Sequence, residues 1–136
     1  MREILFRGKR TDNGEWTYGY YCPKPYSHFP CEATIFPSET IDRDWHGERV
    51  DPDTVGQFTG LTDKNGRKIF EGDIIEYTDG CNDWLGAVKY DGDDAQFVVR
   101  FIGGDVESFD NLYSGDCEVL GDIYDSPELL EVSRND

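Results

Sequence analysis

Two turns set close together in Thr59–Tyr77 (TGLTDKNGRKIFEGDIIEY) constrain this chain more than any other feature. Asp63-Lys64-Asn65-Gly66 is a tight-turn sequence: Asp and Asn side chains hydrogen-bond their own backbone, and Gly66 supplies the positive φ that such a turn needs. Glu71-Gly72-Asp73 is the second turn. Between them the apolar pair Ile69-Phe70 is available for burial. After them, Ile74-Ile75-Glu76-Tyr77 has the β-branched and aromatic content of a strand. The rest of the chain repeats the pattern, since 15 glycines and 6 prolines interrupt it every few residues. That suits short strands joined by tight turns.

Taken in order, Ile4-Leu5-Phe6 predicts a first strand. Asp12-Asn13-Gly14-Glu15 predicts a hairpin, with Asn-Gly in the type I′ geometry that matches strand twist. Trp16, Tyr18 and Tyr20 then share one face of the returning strand by its period of two. Such a strip is either a stacking platform for bases or a peptide, or the core side of a small hairpin, and the core side is the preferred expectation. Cys22–Asp44 is irregular, with Pro23, Pro25, Pro30 and Pro37 removing backbone donors around one short strand, Ala33–Phe36. Ile41–Val50 is a charged stretch around Trp45-His46-Gly47. Further strands are predicted at Thr54–Thr59, Trp84–Tyr90, Ala95–Ile102 and Cys117–Tyr124. Val106–Tyr113 is a short strand or an irregular crossing. WLGAVKY (Trp84–Tyr90) is apolar on both faces and so belongs between neighbours. Ser126-Pro127-Glu128 starts a helix of one or two turns, with Ser126 as cap and Leu129 and Leu130 as its docking residues.

The central stretch, the opening ILFRGK, the VDPDTVGQFTGL run and the late EVLGDIYDSPELLE together resemble the YopX-like family of phage and prophage proteins. IFEGDII preceded by TGLTDKNG is the most specific piece, and Cys22–Asp44 matches least. Spacing alone suggests a small bent sheet or barrel in residues 50–125, and the resemblance implies that it is an SH3-like barrel. The expected fold is mainly β: residues 1–49 form an N-terminal hairpin and long-loop extension, and residues 50–136 form the barrel with a short C-terminal helix. The resemblance also implies a phage or prophage setting. It assigns no activity.

Charge narrows the function classes. Residues 1–50 carry eight acids and seven bases, whereas residues 51–136 carry twenty-one acids and six bases. A face that acidic repels phosphate backbones and disfavours nucleic-acid binding. It suits solubility, a basic partner or a cation. Nothing near the start provides the apolar run of a secretory signal, and no stretch approaches a membrane span. Four cysteines in such a chain read as reduced thiols in a cytoplasmic protein. Cys22, His28 and Cys31 lack the C-x2-C knuckle of a zinc site and would need Cys81, Cys117 or His46 to complete one. No metal or cofactor is expected.

The densest candidate site is Asp63, Lys64, Asn65 and Gly66 with Glu71, Gly72 and Asp73. Glu71 and Asp73 have the chemistry to share a divalent cation or to polarise a hydrolytic water. The preferred alternative is structural: Asp73 accepts hydrogen bonds from the backbone of the DKNG turn and fixes one corner on the other. Asp91-Gly92-Asp93-Asp94 lacks the spacing of a calcium loop, and no nucleophile elbow or phosphate-cradling glycine motif occurs. The expectation is therefore a non-catalytic accessory protein acting through protein–protein contacts, with itself as a homo-oligomer or with a host or phage protein. Its candidate interaction surface is Arg7, Lys9, Arg10, Trp16, Tyr18 and Tyr20. The alternatives are a metal-assisted hydrolase using Glu71 and Asp73, and a small barrel that binds nucleic acid or mimics DNA.

Overall fold

A computed structural model describes residues 4–22, 33–37, 47–109, 112 and 114–132. Among the described residues the protein is mainly β, with two antiparallel sheets and one short α-helix, α1 (Glu128–Val132). The chain divides into two units, Met1–Phe58 and Thr59–Asp136.

In the first unit, β1 (Phe6–Lys9), β2 (Trp16–Cys22), β3 (Thr34–Pro37), β4 (Glu48–Arg49) and the start of β5 (Gly56–Thr62) pair in the order β4-β3-β2-β1-β5. The predicted hairpin forms, but not as a type I′ turn. Only Gly14 takes a positive φ, +73°, while Asn13 does not; Asn13 instead accepts the Glu15 N–H at 2.9 Å. The aromatic strip also departs from its expectation. Thr17 and Gly19 are buried, whereas Tyr18 and Tyr20 remain 45% and 51% exposed. The core is Ala33, Ile35 and Val50, with Phe6, Tyr21 and Val55 against it. Gly8 explains the choice of face: a Cβ there would lie 3.0 Å from Val50 and 3.2 Å from Ile35. The small residues thus let the hairpin lie close on that core, and the aromatics take the other side. The charged run before Val50 contains β4, which pairs with β3 through Thr34 and Ile35.

In the second unit, β7 (Asp73–Thr78), β8 (Asp83–Asp91), β9 (Gln96–Phe101), β10 (Val106–Ser108) and β11 (Cys117–Asp122) form one antiparallel sheet in the order β10-β9-β8-β7-β11. β8 lies between two neighbours, as its apolar residues on both faces predict. The last strand returns beside the first, and among the described residues β10 and β11 are the sheet's edges. β5 continues into this unit and pairs with β6 (Lys68–Phe70). Ile69, Ile75, Val88, Phe97, Val99, Phe101, Phe109, Cys117 and Val119 make the core. α1 is a single turn, begun by N–H donation from Leu129 to the Ser126 carbonyl at 3.1 Å. Among the described residues no helix is long and apolar enough to cross a membrane.

Part of the acidity has a structural use. Asp51, Asp63, Asp79, Asp91 and Asp122 each accept the backbone N–H two residues on, closing turns at the ends of strands. A carboxylate that takes a local N–H offers the chain an alternative to ladder pairing, which is why strands stop there.

Candidate functional site

The DKNG turn joins β5 to β6. The Asp63 N–H donates to the Arg67 carbonyl at 2.8 Å, and the Gly66 N–H to the Asp63 carbonyl at 3.0 Å. Gly66 has the predicted positive φ, +80°. The Asp63 side chain points inward, 5% exposed. One carboxylate oxygen accepts the N–H groups of Asn65 and Arg67, each at 2.9 Å, and the other accepts the N–H of Val119 in β11 at 2.9 Å. Burial by itself pushes this carboxyl up. The Val119, Arg67 and Asn65 N–H donors, helped by the Arg67 charge, outweigh burial and hold it below the ordinary carboxylate range.

More of the turn is fastened to the same strand. The Lys64 N–H donates to the Cys117 carbonyl at 2.9 Å, and Lys64 Nζ approaches Glu118 at 3.5 Å. That exposed pair adds little, on the order of 0–1 kcal/mol; the buried carboxylate is the stronger link.

The second corner, Glu71-Gly72-Asp73, lies at the other end of β6. Asp73 is 2% exposed and accepts the Phe70 N–H at 2.8 Å, within its own turn. The Gly72 N–H donates to the Val88 carbonyl, and the Gly72 carbonyl accepts the Ile123 N–H, both at 2.9 Å. Asp73 and Asp122 are cross-strand partners at the end of the β7–β11 ladder. Both corners are therefore fastened to one strand, the first at Cys117–Val119 and the second at Asp122–Ile123. Between those ties the β7–β11 register slips, from Val119 opposite Ile75 to Gly121 opposite Ile74. The extra residue, Leu120, points to solvent. The carboxylate that fixes the DKNG turn to a distant strand is Asp63.

Among the described residues, no three His, Cys, Asp or Glu side chains are grouped as a metal set. Asp91, in the DGDD segment, accepts the Asp93 N–H in an ordinary turn. Cys81 is exposed in the β7–β8 turn, and Cys117 is fully buried. Burial, reinforced by the Asp116 and Asp63 charges, pushes the Cys117 thiol up to about 11, which leaves no nucleophilic thiolate at neutral pH. His28, Cys31, Trp45 and His46 lie outside the described residues.

The candidate contact residues of the first unit are brought together. Arg7 stands opposite Tyr18 and Lys9 opposite Trp16 on the β1–β2 ladder. The Arg7 guanidinium lies 4.3 Å from the Trp16 ring centroid and Lys9 Nζ 5.1 Å from it. Arg7 is buried at 5% exposure, so the accessible part of this face is Tyr18, Tyr20 and the half-buried Trp16. Arg10 is engaged elsewhere, with Asp12 at 2.6 Å and Glu48 at 3.3 Å.

The sequence did not single out a cleft of about 390 Å³ in the second unit, lined by Tyr77, Trp84, Phe101, Asp105, Glu107 and Leu112. Its aromatics come from the ends of three strands, and only strand pairing brings them together.

Fold and site together define a small, mainly β protein whose most distinctive motif is a buried-carboxylate joint. The YopX protein family model matches residues 5–131, and the chain belongs to the YopX family. A solved structure, protein EF1440 from Enterococcus faecalis, is similar at 26% identity with a TM-score of 0.56, covering 96% of this chain and 99% of that one. No curated protein matches the chain.

Proposed function

We propose that this protein works by contact: a non-catalytic, phage- or prophage-encoded accessory protein of the cytoplasm that binds a copy of itself or a host or phage protein. One observation carries the proposal. Two carboxylates of the family's most specific motif hold the backbone, with Asp63 taking three N–H donors and Asp73 taking the Phe70 N–H. The outward Tyr18–Tyr20 face supplies the accessible aromatic surface that a contact protein needs. The finer architecture follows the same logic. The second unit is an SH3-like barrel, supported by a five-strand order that returns β11 beside β7 and by the 3-10 turn at Ser114–Asp116 leading into β11.

Size-exclusion chromatography with light scattering at low and high salt, run with affinity capture from infected cells, tests this. A stable homo-oligomer or a stoichiometric protein complex is expected. A monomer that captures nothing, together with Mg²⁺-dependent hydrolysis abolished by Glu71→Gln, overturns it.

A further inference from the structure

We propose that the aromatic cleft of the second unit receives an arginine side chain from a partner protein. This assignment rests on the contact proposal above and names the chemistry of one such contact. The cleft is built at the end of the sheet opposite the Asp73–Asp122 joint. Tyr77 and Trp84 are cross-strand partners on β7 and β8, with ring centroids 5.7 Å apart and planes 29° apart. Trp84 continues to Phe101 of β9 at 6.5 Å. The β9–β10 turn closes one side. There the Phe101 N–H donates to the Asp105 carbonyl at 2.7 Å, bringing the exposed Asp105 and Glu107 to the rim of the aromatic row.

Each component selects for the same guest. The half-buried Tyr77 and Trp84 rings, backed by Phe101, favour a flat cation over the aromatic surface they leave accessible. A volume of about 390 Å³ accommodates a side chain. The exposed Asp105 at the rim, in a half of the chain with twenty-one acids and six bases, complements positive charge. Of the cationic side chains, guanidinium is planar, weakly hydrated and able to meet a carboxylate through two N–H groups while stacking on an aromatic ring; lysine meets neither geometric demand as well.

The test titrates the full ¹⁵N-labelled chain with acetyl-Gly-Arg-Gly-amide, following the Trp84 indole N–H and the Asp105 and Glu107 amides. The citrulline peptide acetyl-Gly-Cit-Gly-amide, of the same shape without the charge, is the control. Arginine should move these signals at millimolar concentration and citrulline should not. The variant Asp105→Asn lies at an exposed position and should leave the spectrum otherwise intact while weakening binding about tenfold. Equal shifts from both peptides, no shift at Trp84, or an unweakened variant overturns the assignment. If the peptide fails while a stoichiometric protein complex still forms, the contact proposal stands and only this assignment falls.

Discussion

Removing the Asp63 carboxylate should unfasten the second unit at one identifiable joint. In Asp63→Ala the Val119 N–H is left without its acceptor in a strand whose Val119 is 6% exposed. An orphaned buried donor costs about 1–3 kcal/mol. The Asn65 and Arg67 N–H groups belong to exposed turn residues and regain water, so each loses about 0.5–1 kcal/mol. The expected loss is thus about 2–5 kcal/mol, or roughly 8–40 °C in the melting of a unit this size. Asp63→Asn keeps an acceptor for the turn but sets an amide donor against one of the N–H groups, and should lie at the lower end of that range. Urea unfolding gives the global figure, and hydrogen exchange at the Val119 amide gives the local one: slow in the native protein, fast in Asp63→Ala.

The pH dependence has a definite sign. Because the folded Asp63 carboxyl sits below its unfolded value of about 3.9, its contribution is complete above that value. It is lost as pH falls through the lower folded value. The variants should lack that part of the acid limb. An Asp63→Ala protein within about 0.5 kcal/mol of the parent, with Val119 exchange unchanged, would refute the joint.

Other positions give independent checks. Gly86→Ala would place a Cβ 2.6 Å from the Arg100 carbonyl oxygen and 2.9 Å from Val99; since the β8–β9 backbone must move, urea unfolding should show a loss of about 1–3 kcal/mol. In the native protein Cys81 should react with iodoacetamide while Cys117 stays protected, and both should react in denaturant; equal native labelling contradicts the buried thiol. Tyr18→Ala with Tyr20→Ala should change stability by less than about 1 kcal/mol, yet reduce the oligomer or partner complex measured by light scattering. Unchanged assembly removes that face from the contact surface.

The strands and turns were largely legible because their signals are local. Asp63–Gly66 forms its turn through its own Asp, Asn and Gly chemistry, and β7, β8, β9 and β11 follow β-branched or aromatic runs bounded by such turns. What escaped depends on distant partners. Nothing near Asp63 reveals that its second oxygen meets Val119, 56 residues later. The wrong face was expected of the first hairpin because side-chain size, read alone, favours burying Trp16, Tyr18 and Tyr20. The deciding contacts were those of Gly8 with Ile35 and Val50. β4 is two charged residues, Glu48 and Arg49, whose pairing with β3 outweighs their weak strand propensity. The aromatic cleft gathers Tyr77, Trp84 and Phe101 from three runs that separately read as core strands.

A carboxyl-carbon NMR titration of the native protein, with and without Mg²⁺, addresses the central claim most directly. Asp63 should titrate below the ordinary aspartate range, and Glu71 and Asp73 should keep their shifts when the metal is added. A normal or raised Asp63 value, or Glu71 and Asp73 moving together at low Mg²⁺ concentration, would show that these acids serve a reaction and not the architecture.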